Sequence, residues 1–236
     1  MSSSQPIALV FGGSRGIGAA CVDALAADGY KVAFTYVTRA PDVSAGRGYA
    51  VDIRDAAAVA GVFADVERDL GARPRVVVAN AGINVPPGPL AQFKPEDFRQ
   101  LVEVNVVGAF NILAEAARQV QDGGAIIALT TSLVRHAVAG VGAYSASKAA
   151  VECLVRSLAK ELAGRKVRVN AVAPGPVDTD LFNAGKTEEA KQRSAAMSPF
   201  NRVGRPEEIA EVVRFLVSDK ASWVHGQVVQ PNGGLV

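Results

Sequence analysis

Val10-Phe11-Gly12-Gly13-Ser14-Arg15-Gly16-Ile17-Gly18 decides the reading of this chain. An apolar run, residues 7–11, leads into the glycines, and Ile17, Ala20, Cys21, Ala24 and Leu25 then recur at the spacing of a core-facing helix. Strand, glycine turn and helix therefore follow one another directly. Glycine permits positive φ and close backbone approach. The helix N-terminus behind it offers unpaired N–H groups and a partial positive charge to an anion. A glycine cluster by itself also makes a plain tight turn, but a strand before it and a helix after it favour a phosphate cradle.

Outward from that turn the same rhythm repeats. Short apolar runs at 31–36, 49–51, 75–79, 125–129, 167–171 and 227–230 read as further strands. Helical patterns at 56–70, 95–120, 143–162 and 206–217 lie between them. Strands apolar on both sides, alternating with helices, imply an α/β fold: a doubly wound, seven-stranded parallel sheet with helices on both faces, in a single domain over 1–236. Two stretches break the rhythm. In 37–48, Pro41, Gly46 and Gly48 argue against a full crossover helix. In 174–199 a polar helix (187–196) is flanked by Pro and Gly, the pattern of a substrate lid over about 180–199.

Composition narrows the function. With 49% hydrophobic residues the chain is expected to fold, and 25 Lys+Arg against 23 Asp+Glu are too balanced for an electrostatic nucleic-acid or membrane binder. Two cysteines, Cys21 and Cys153, and two histidines, His136 and His225, provide neither a disulfide framework nor a metal set, so no metal is expected. Both cysteines fall on predicted core stripes and read as small apolar fillers. Residues 1–6 have no basic stretch or apolar run, and no segment approaches membrane-spanning length, so a cytoplasmic protein is expected.

The spacing Gly12-x-x-x-Gly16-x-Gly18 resembles the first turn of the short-chain dehydrogenase/reductases, and other motifs follow in that family's order. Asp52 matches its adenine-contacting Asp, Asn80-Ala81-Gly82 its Asn-Ala-Gly, and Asn105 the Asn of its central helix. Tyr144-Ser-Ala-Ser-Lys148 matches the active-site Tyr-x-x-x-Lys, Pro174-Gly175 the turn below the nicotinamide, and Asn232-Gly233-Gly234 the closing Asp-Gly-Gly. Phe11 stands where the family usually has Thr, a departure expected to loosen the turn's hydrogen bonding. The stretch from Asn170 to Phe182 looks like the branch of 3-oxoacyl-carrier-protein reductase-like and hydroxynaphthalene reductase-like enzymes.

Carbonyl reduction needs a hydride donor, a proton donor and a partner for the developing negative oxygen. The resemblance assigns the proton to Tyr144, with Lys148 one helical turn away lowering its pKa and holding the cofactor ribose. It gives the carbonyl oxygen to a Ser about a dozen residues earlier. Ser132 and Thr131 both meet that spacing; Ser132 is preferred because the family uses Ser. Asn105 completes the set by holding a relay water, or is a buried amide bonded to backbone, and the two are compatible. The resemblance further implies cofactor contacts from Gly12, Ser14, Arg15, Gly16, Ile17, Gly18, Thr38, Arg39, Asp52, Ile53, Asn80, Ala81, Gly82, Tyr144, Lys148, Pro174, Gly175, Val177 and Thr179.

After the second strand no acid appears before Asp42, whereas Arg15 and Arg39 suit a 2′-phosphate, so NADP(H) is the expected cofactor. The function expected is reduction of a small-molecule carbonyl, and the resemblance implies a homo-oligomer, a dimer or tetramer. The rival readings are a sugar or polyol dehydrogenase, a non-catalytic nicotinamide-binding regulator and an inert scaffold. Lys186, Lys191 and Arg193 in the lid point equally to an anionic substrate and to solvated helix charges.

Overall fold

All five residues of β1 (Ile7–Phe11) are buried, as are all those of β4 (Val76–Ala79) and β5 (Ala125–Leu129). Such strands bury both faces, so each needs a helix layer above and below. The computed structural model describes residues 5–38 and 45–236. With β2 (Lys31–Tyr36), β3 (Arg47–Ala50), β6 (Arg168–Val172) and β7 (Val228–Val229) these strands form one parallel sheet in the order β3-β2-β1-β4-β5-β6-β7. The doubly wound seven-stranded α/β fold is thus as expected.

Helices α2 (Ala56–Leu70), α4 (Ala109–Gln119) and α5 (Gly142–Leu162) share one apolar core with the sheet, built around Phe11, Phe63, Ile112 and Ile126. On the other face, α1 (Gly16–Ala27) and α8 (Pro206–Val217) pack through Cys21, Val22, Leu25, Val213 and Leu216. The chain reverses its direction of winding between β1 and β4. In such sheets a crevice opens there, at the carboxyl ends of the strands.

Three expectations need correction. The central helix is not continuous over 95–120: α3 (Pro95–Leu101) passes into a π-helical segment, Val102–Gly108, before α4. That segment carries Asn105, whose amide turns inward to bond the backbone of Ile83. Strand β3 begins two residues earlier than the run at 49–51 and leaves out Val51. Cys153 is exposed beside Arg156, whose Nη2 lies 3.0 Å from its Sγ, because its side of α5 faces away from the sheet. Cys21 is buried, and its thiol is pushed up to about 12 by that burial. Half of the loop expected at 37–48, residues 39–44 with Arg39 among them, lies outside the described residues.

Past β6 come the short α6 (Asp180–Asn183) and α7 (Glu188–Ala196), the helical content of the expected lid. Thr179 and Thr187 cap them by accepting from Phe182 N and Ala190 N. Ser198 then ties the segment to the C-terminus by donating to Gly233 O at 2.7 Å.

Candidate active site

The glycine turn is shaped by contacts that exclude any side chain. A Cβ on Gly18 would lie 2.0 Å from Gly12 O and 2.6 Å from Asn80 Nδ2. Gly12, at φ +73°, presses on Ala81, and Asn80 Nδ2 donates to Gly12 O at 2.8 Å. Two expected motifs, the glycine turn and Asn80-Ala81, are therefore a single packed unit. Thr179 closes over it, its Cγ2 being 3.1 Å from where a Cβ of Gly16 would stand.

Phe11 does not loosen this turn. Thr35 on β2 accepts a hydrogen bond from Gly12 N at 3.0 Å, and Phe11 instead stacks at 5.8 Å on Phe63 in the core. The hydroxyl comes from the neighbouring strand rather than from the residue before the glycine. Sequence reasoning missed Thr35; its one signal was a lone hydroxyl inside the apolar run Val32-Ala-Phe-Thr-Tyr36.

Around the turn, Arg15 is the exposed N-cap of α1, and among the described residues it makes no ion pair. Ser14 and Ile17 are half-buried, and Thr38 is exposed just beyond β2. Asp52 is gripped by Arg54, with Nε at 3.0 Å and Nη2 at 2.5 Å, which holds its carboxyl below the usual range. Ile53 is buried against Gly108. Gly175 N donates to Pro231 O at 3.2 Å, and a Cβ on Gly175 would come within 3.0 Å of Asn232 Cα. The Pro174-Gly175 turn thus rests on the closing Asn232-Gly233-Gly234 motif. Val177 is buried beyond it.

Asn105, Lys148 and Gly82 meet at one point. The Cβ position of Gly82 is 3.0 Å from Asn105 Oδ1 and 3.2 Å from Lys148 Nζ. The Asn105 amide is fully used: Oδ1 accepts from Ile83 N at 2.8 Å, and Nδ2 donates to Ile83 O at 2.9 Å and Ser147 Oγ at 3.1 Å. Ser147 in turn donates to Tyr144 O at 2.7 Å. Ser147, unremarked in the sequence, thereby connects the π-helical segment to the first turn of α5.

Tyr144 lies in that first turn and lines a narrow recess with Asn84, Val85, Pro86, Pro87, Phe93, Gly140 and Val141. Gly88 N donating to Gly140 O at 2.9 Å closes its rim. The expected lowering of the Tyr144 pKa by Lys148 is not what this geometry gives. Burial pushes the phenol up to about 12, while burial brings the Lys148 ammonium down to about 8. Lys148, only 6% exposed, turns its Nζ to Leu129 O at 3.0 Å.

The two candidate hydroxyls behave differently. Strand β5 ends at Leu129, and Thr131 caps a following 3₁₀ turn by accepting from Leu133 N. Ser132 is 1% exposed and donates through Oγ to Ala173 O at 2.8 Å. A hydroxyl rotates about its C–O bond, so this proton is available to a stronger acceptor nearby. In the 180–199 segment, Lys191 pairs with Glu188 at 2.7 Å. Lys186 donates to Phe182 O at 2.7 Å, with Nζ 3.4 Å from that ring's centroid. Neither cation reaches out for an anionic substrate.

Comparison with known proteins supplies the remaining findings. Residues 12–236 match the family model described as "Enoyl-(Acyl carrier protein) reductase". The "NADPH-dependent aldehyde reductase-like protein, chloroplastic" of Arabidopsis thaliana is 38% identical over 265 residues, covering 100% of this chain and 98% of that protein. The "3-oxoacyl-[acyl-carrier-protein] reductase MabA" of Mycobacterium tuberculosis is 38% identical over 230 residues, covering 96% and 91%. A short chain dehydrogenase from Burkholderia cenocepacia, solved in complex with NADP, superimposes with TM-score 0.90 at 33% identity, covering 98% of each chain.

Proposed function

The chain belongs to the short-chain dehydrogenase/reductase family of oxidoreductases, and we propose that it is an NADP(H)-dependent carbonyl reductase in which Tyr144 is the acid–base. The observation that carries this reading is the gathering of Asn105, Lys148 and Gly82 at one point, one helical turn from Tyr144.

The residues present suit the cofactor. Without side chains at Gly12, Gly16 and Gly18 the turn packs directly on Ala81, Thr179 and Asn80 and sets the start of α1 where a helix N-terminus can receive a phosphate. Arg15, exposed beside it and without an ion pair among the described residues, and Arg39 are the candidates for a 2′-phosphate. Ser14, Gly16, Ile17, Thr38, Asp52, Ile53, Ala81, Val177 and Thr179 complete the proposed contacts. When bound, the reduced nicotinamide supplies the hydride.

The chain does the rest. Ser132 turns its proton from Ala173 O to the substrate carbonyl oxygen, and that bond strengthens as negative charge develops there. Tyr144 gives its phenolic proton to the same oxygen. A phenol held near 12 stays protonated throughout the working pH range, so it is ready to donate. Lys148 remains largely an ammonium at neutral pH and anchors the ribose. Asn105 positions the loop after β4 through both bonds to Ile83.

A 3-oxoacyl-like or otherwise apolar carbonyl substrate is supported by the likeness to the 3-oxoacyl reductase MabA and by the apolar side chains Val85, Pro86, Pro87 and Phe93 beside Tyr144. We also take the working form to be a cytoplasmic homo-oligomer. Phe110, Phe215 and Trp223 are 52, 45 and 97% exposed, apolar surface that a second copy would cover.

The test is a substrate panel of a 3-oxoacyl thioester, aldehydes, aryl ketones, polyols and an enoyl thioester, each with NADPH and NADH. Turnover of a carbonyl with NADPH, slower with NADH, is expected. Reduction of the enoyl thioester alone, or oxidation of polyols alone, overturns the reading.

A further inference from the structure

Lys148 and Glu152 lie one turn apart on α5, and each meets one of two consecutive residues at the end of β5. Lys148 Nζ donates to Leu129 O at 3.0 Å, and Thr130 Oγ1 donates to Glu152 Oε1 at 3.3 Å. Thr130 Oγ1 is also 3.4 Å from Val172 O on β6.

Glu152 is 3% exposed. A buried carboxylate is strongly unfavourable unless paired and hydrogen-bonded. Its charged neighbour, Arg156 Nη1, stands 3.9 Å from Oε2 at the edge of solvent. Among the described residues Thr130 is the only hydrogen-bond donor to it. Thr130 is 5% exposed, where an isosteric valine would pack equally well. A hydroxyl and a carboxylate placed together in this apolar seam therefore need an explanation beyond packing.

Position supplies one. Thr130 stands two residues before Ser132, and Glu152 two helical turns after Tyr144 with Lys148 between them. We propose that Thr130 and Glu152 are positioning residues whose hydrogen bond sets the register of α5 against the end of β5, and so the placement of Ser132 relative to Tyr144 and Lys148. This rests on the carbonyl-reductase reading. Misplacement of reacting groups by about an ångström can cost about a hundredfold in rate.

Four variants test it: Thr130→Val, Thr130→Ser, Glu152→Leu and Glu152→Gln, compared per folded molecule in NADPH-dependent carbonyl reduction. Thr130→Val and Glu152→Leu should lose about tenfold to a hundredfold in kcat. Their carbonyl KM should stay within about threefold, the split expected when transition-state placement is damaged. Thr130→Ser and Glu152→Gln keep the donor and the acceptor oxygen and should restore most of kcat. The double variant should be no worse than the poorer single one, because both break one bond. Wild-type kcat in Thr130→Val, or equal damage in Glu152→Gln and Glu152→Leu, overturns the proposal. If Glu152→Leu does not fold, the isosteric Thr130→Val decides. Tyr144→Phe run in parallel keeps the two readings apart, since full activity there refutes the catalytic assignment. In that case the brace is judged by amide exchange at Ser132, whose N–H donates to Pro174 O at 2.9 Å. Faster exchange in Thr130→Val supports it and unchanged exchange overturns it.

Discussion

Alanine at Gly18 should be the least tolerated small substitution in the chain. Its Cβ would stand 2.0 Å from Gly12 O and 2.6 Å from Asn80 Nδ2. Favourable heavy-atom contacts lie near about 3.5 Å, so the overlap exceeds an ångström. The oxygen belongs to backbone and cannot swing away. Relief requires α1 to retreat or the turn to open, and opening it breaks the bond from Asn80 to Gly12. Overpacking of this kind costs about 1–3 kcal/mol and the lost hydrogen bond about 1 kcal/mol. The sum, about 2–4 kcal/mol, falls on the surface proposed to cradle the cofactor phosphates, so NADPH affinity should drop about 30- to 700-fold. Gly61→Ala is the control. Gly61 lies inside α2 with no atom within 4 Å of its Cβ position, so alanine there should stabilise by about 0.5–1 kcal/mol and leave binding unchanged. Thermal unfolding and fluorescence titration with NADPH measure both effects. Gly18→Ala binding NADPH like wild type would refute the reasoning.

Three further outcomes follow from the site. Ser132→Ala should lose about 10²–10³ in kcat. Thr131→Ala, which removes only the cap on Leu133 N, should lower stability with little change in rate; steady-state kinetics showing the reverse order transfers the role to Thr131. Arg15→Glu should weaken NADPH by about tenfold to a hundredfold, the worth of a charge-assisted bond, and leave NADH little changed; paired titrations check this. Lys148→Met should abolish turnover yet stabilise the fold. Burial lowers the Lys148 pKa to about 8 from the ordinary 10.5, so below about 8 the folded state bears the full penalty of a buried ammonium, on the order of 3 kcal/mol. Between about 8 and 10.5 that penalty fades, because the folded state has shed the proton that the unfolded chain still binds, so stability rises with pH. The gain in melting temperature should therefore be large near neutral pH and shrink in alkali.

The parts of the site legible in the sequence are those fixed by local geometry. Gly12, Gly16 and Gly18 announce a turn because strand and helix patterns bracket them, and Tyr144 and Lys148 share a helix face by spacing alone. What escaped depends on register between distant segments. Thr35 serves Gly12 because β1 and β2 pair Val10 with Phe34, a fact that no local pattern carries. Ser147 and Thr130 likewise act across helix–helix and strand–helix seams. The π-helical segment has the same apolar composition as an α-helix, so its extra residue per turn is silent until Asn105 is seen bonded to Ile83. The inference that Lys148 lowers the Tyr144 pKa failed because spacing fixes the face and not the direction of a long side chain. Lys148 Nζ turns to Leu129 O, and burial dominates both groups. Lys186 and Lys191, open in the sequence between an anionic substrate and solvated helix charges, each bond within the 180–199 segment, a local pairing that spacing does not announce. Cys153 shows the limit of stripe counting on a helix as long as α5, whose outer face is also partly apolar.

The central claim is that the Tyr144 hydroxyl delivers the proton, and Tyr144→Phe tests it most directly. The ring remains to fill the recess, and the hydroxyl makes no hydrogen bond among the described residues, so fold and NADPH affinity should be preserved. Single-turnover reduction of the best carbonyl substrate, alongside an NADPH titration, should show affinity unchanged and a rate lower by about 10²–10⁴, the usual worth of general acid catalysis. A variant that binds NADPH and reduces the carbonyl at the wild-type rate would contradict the account.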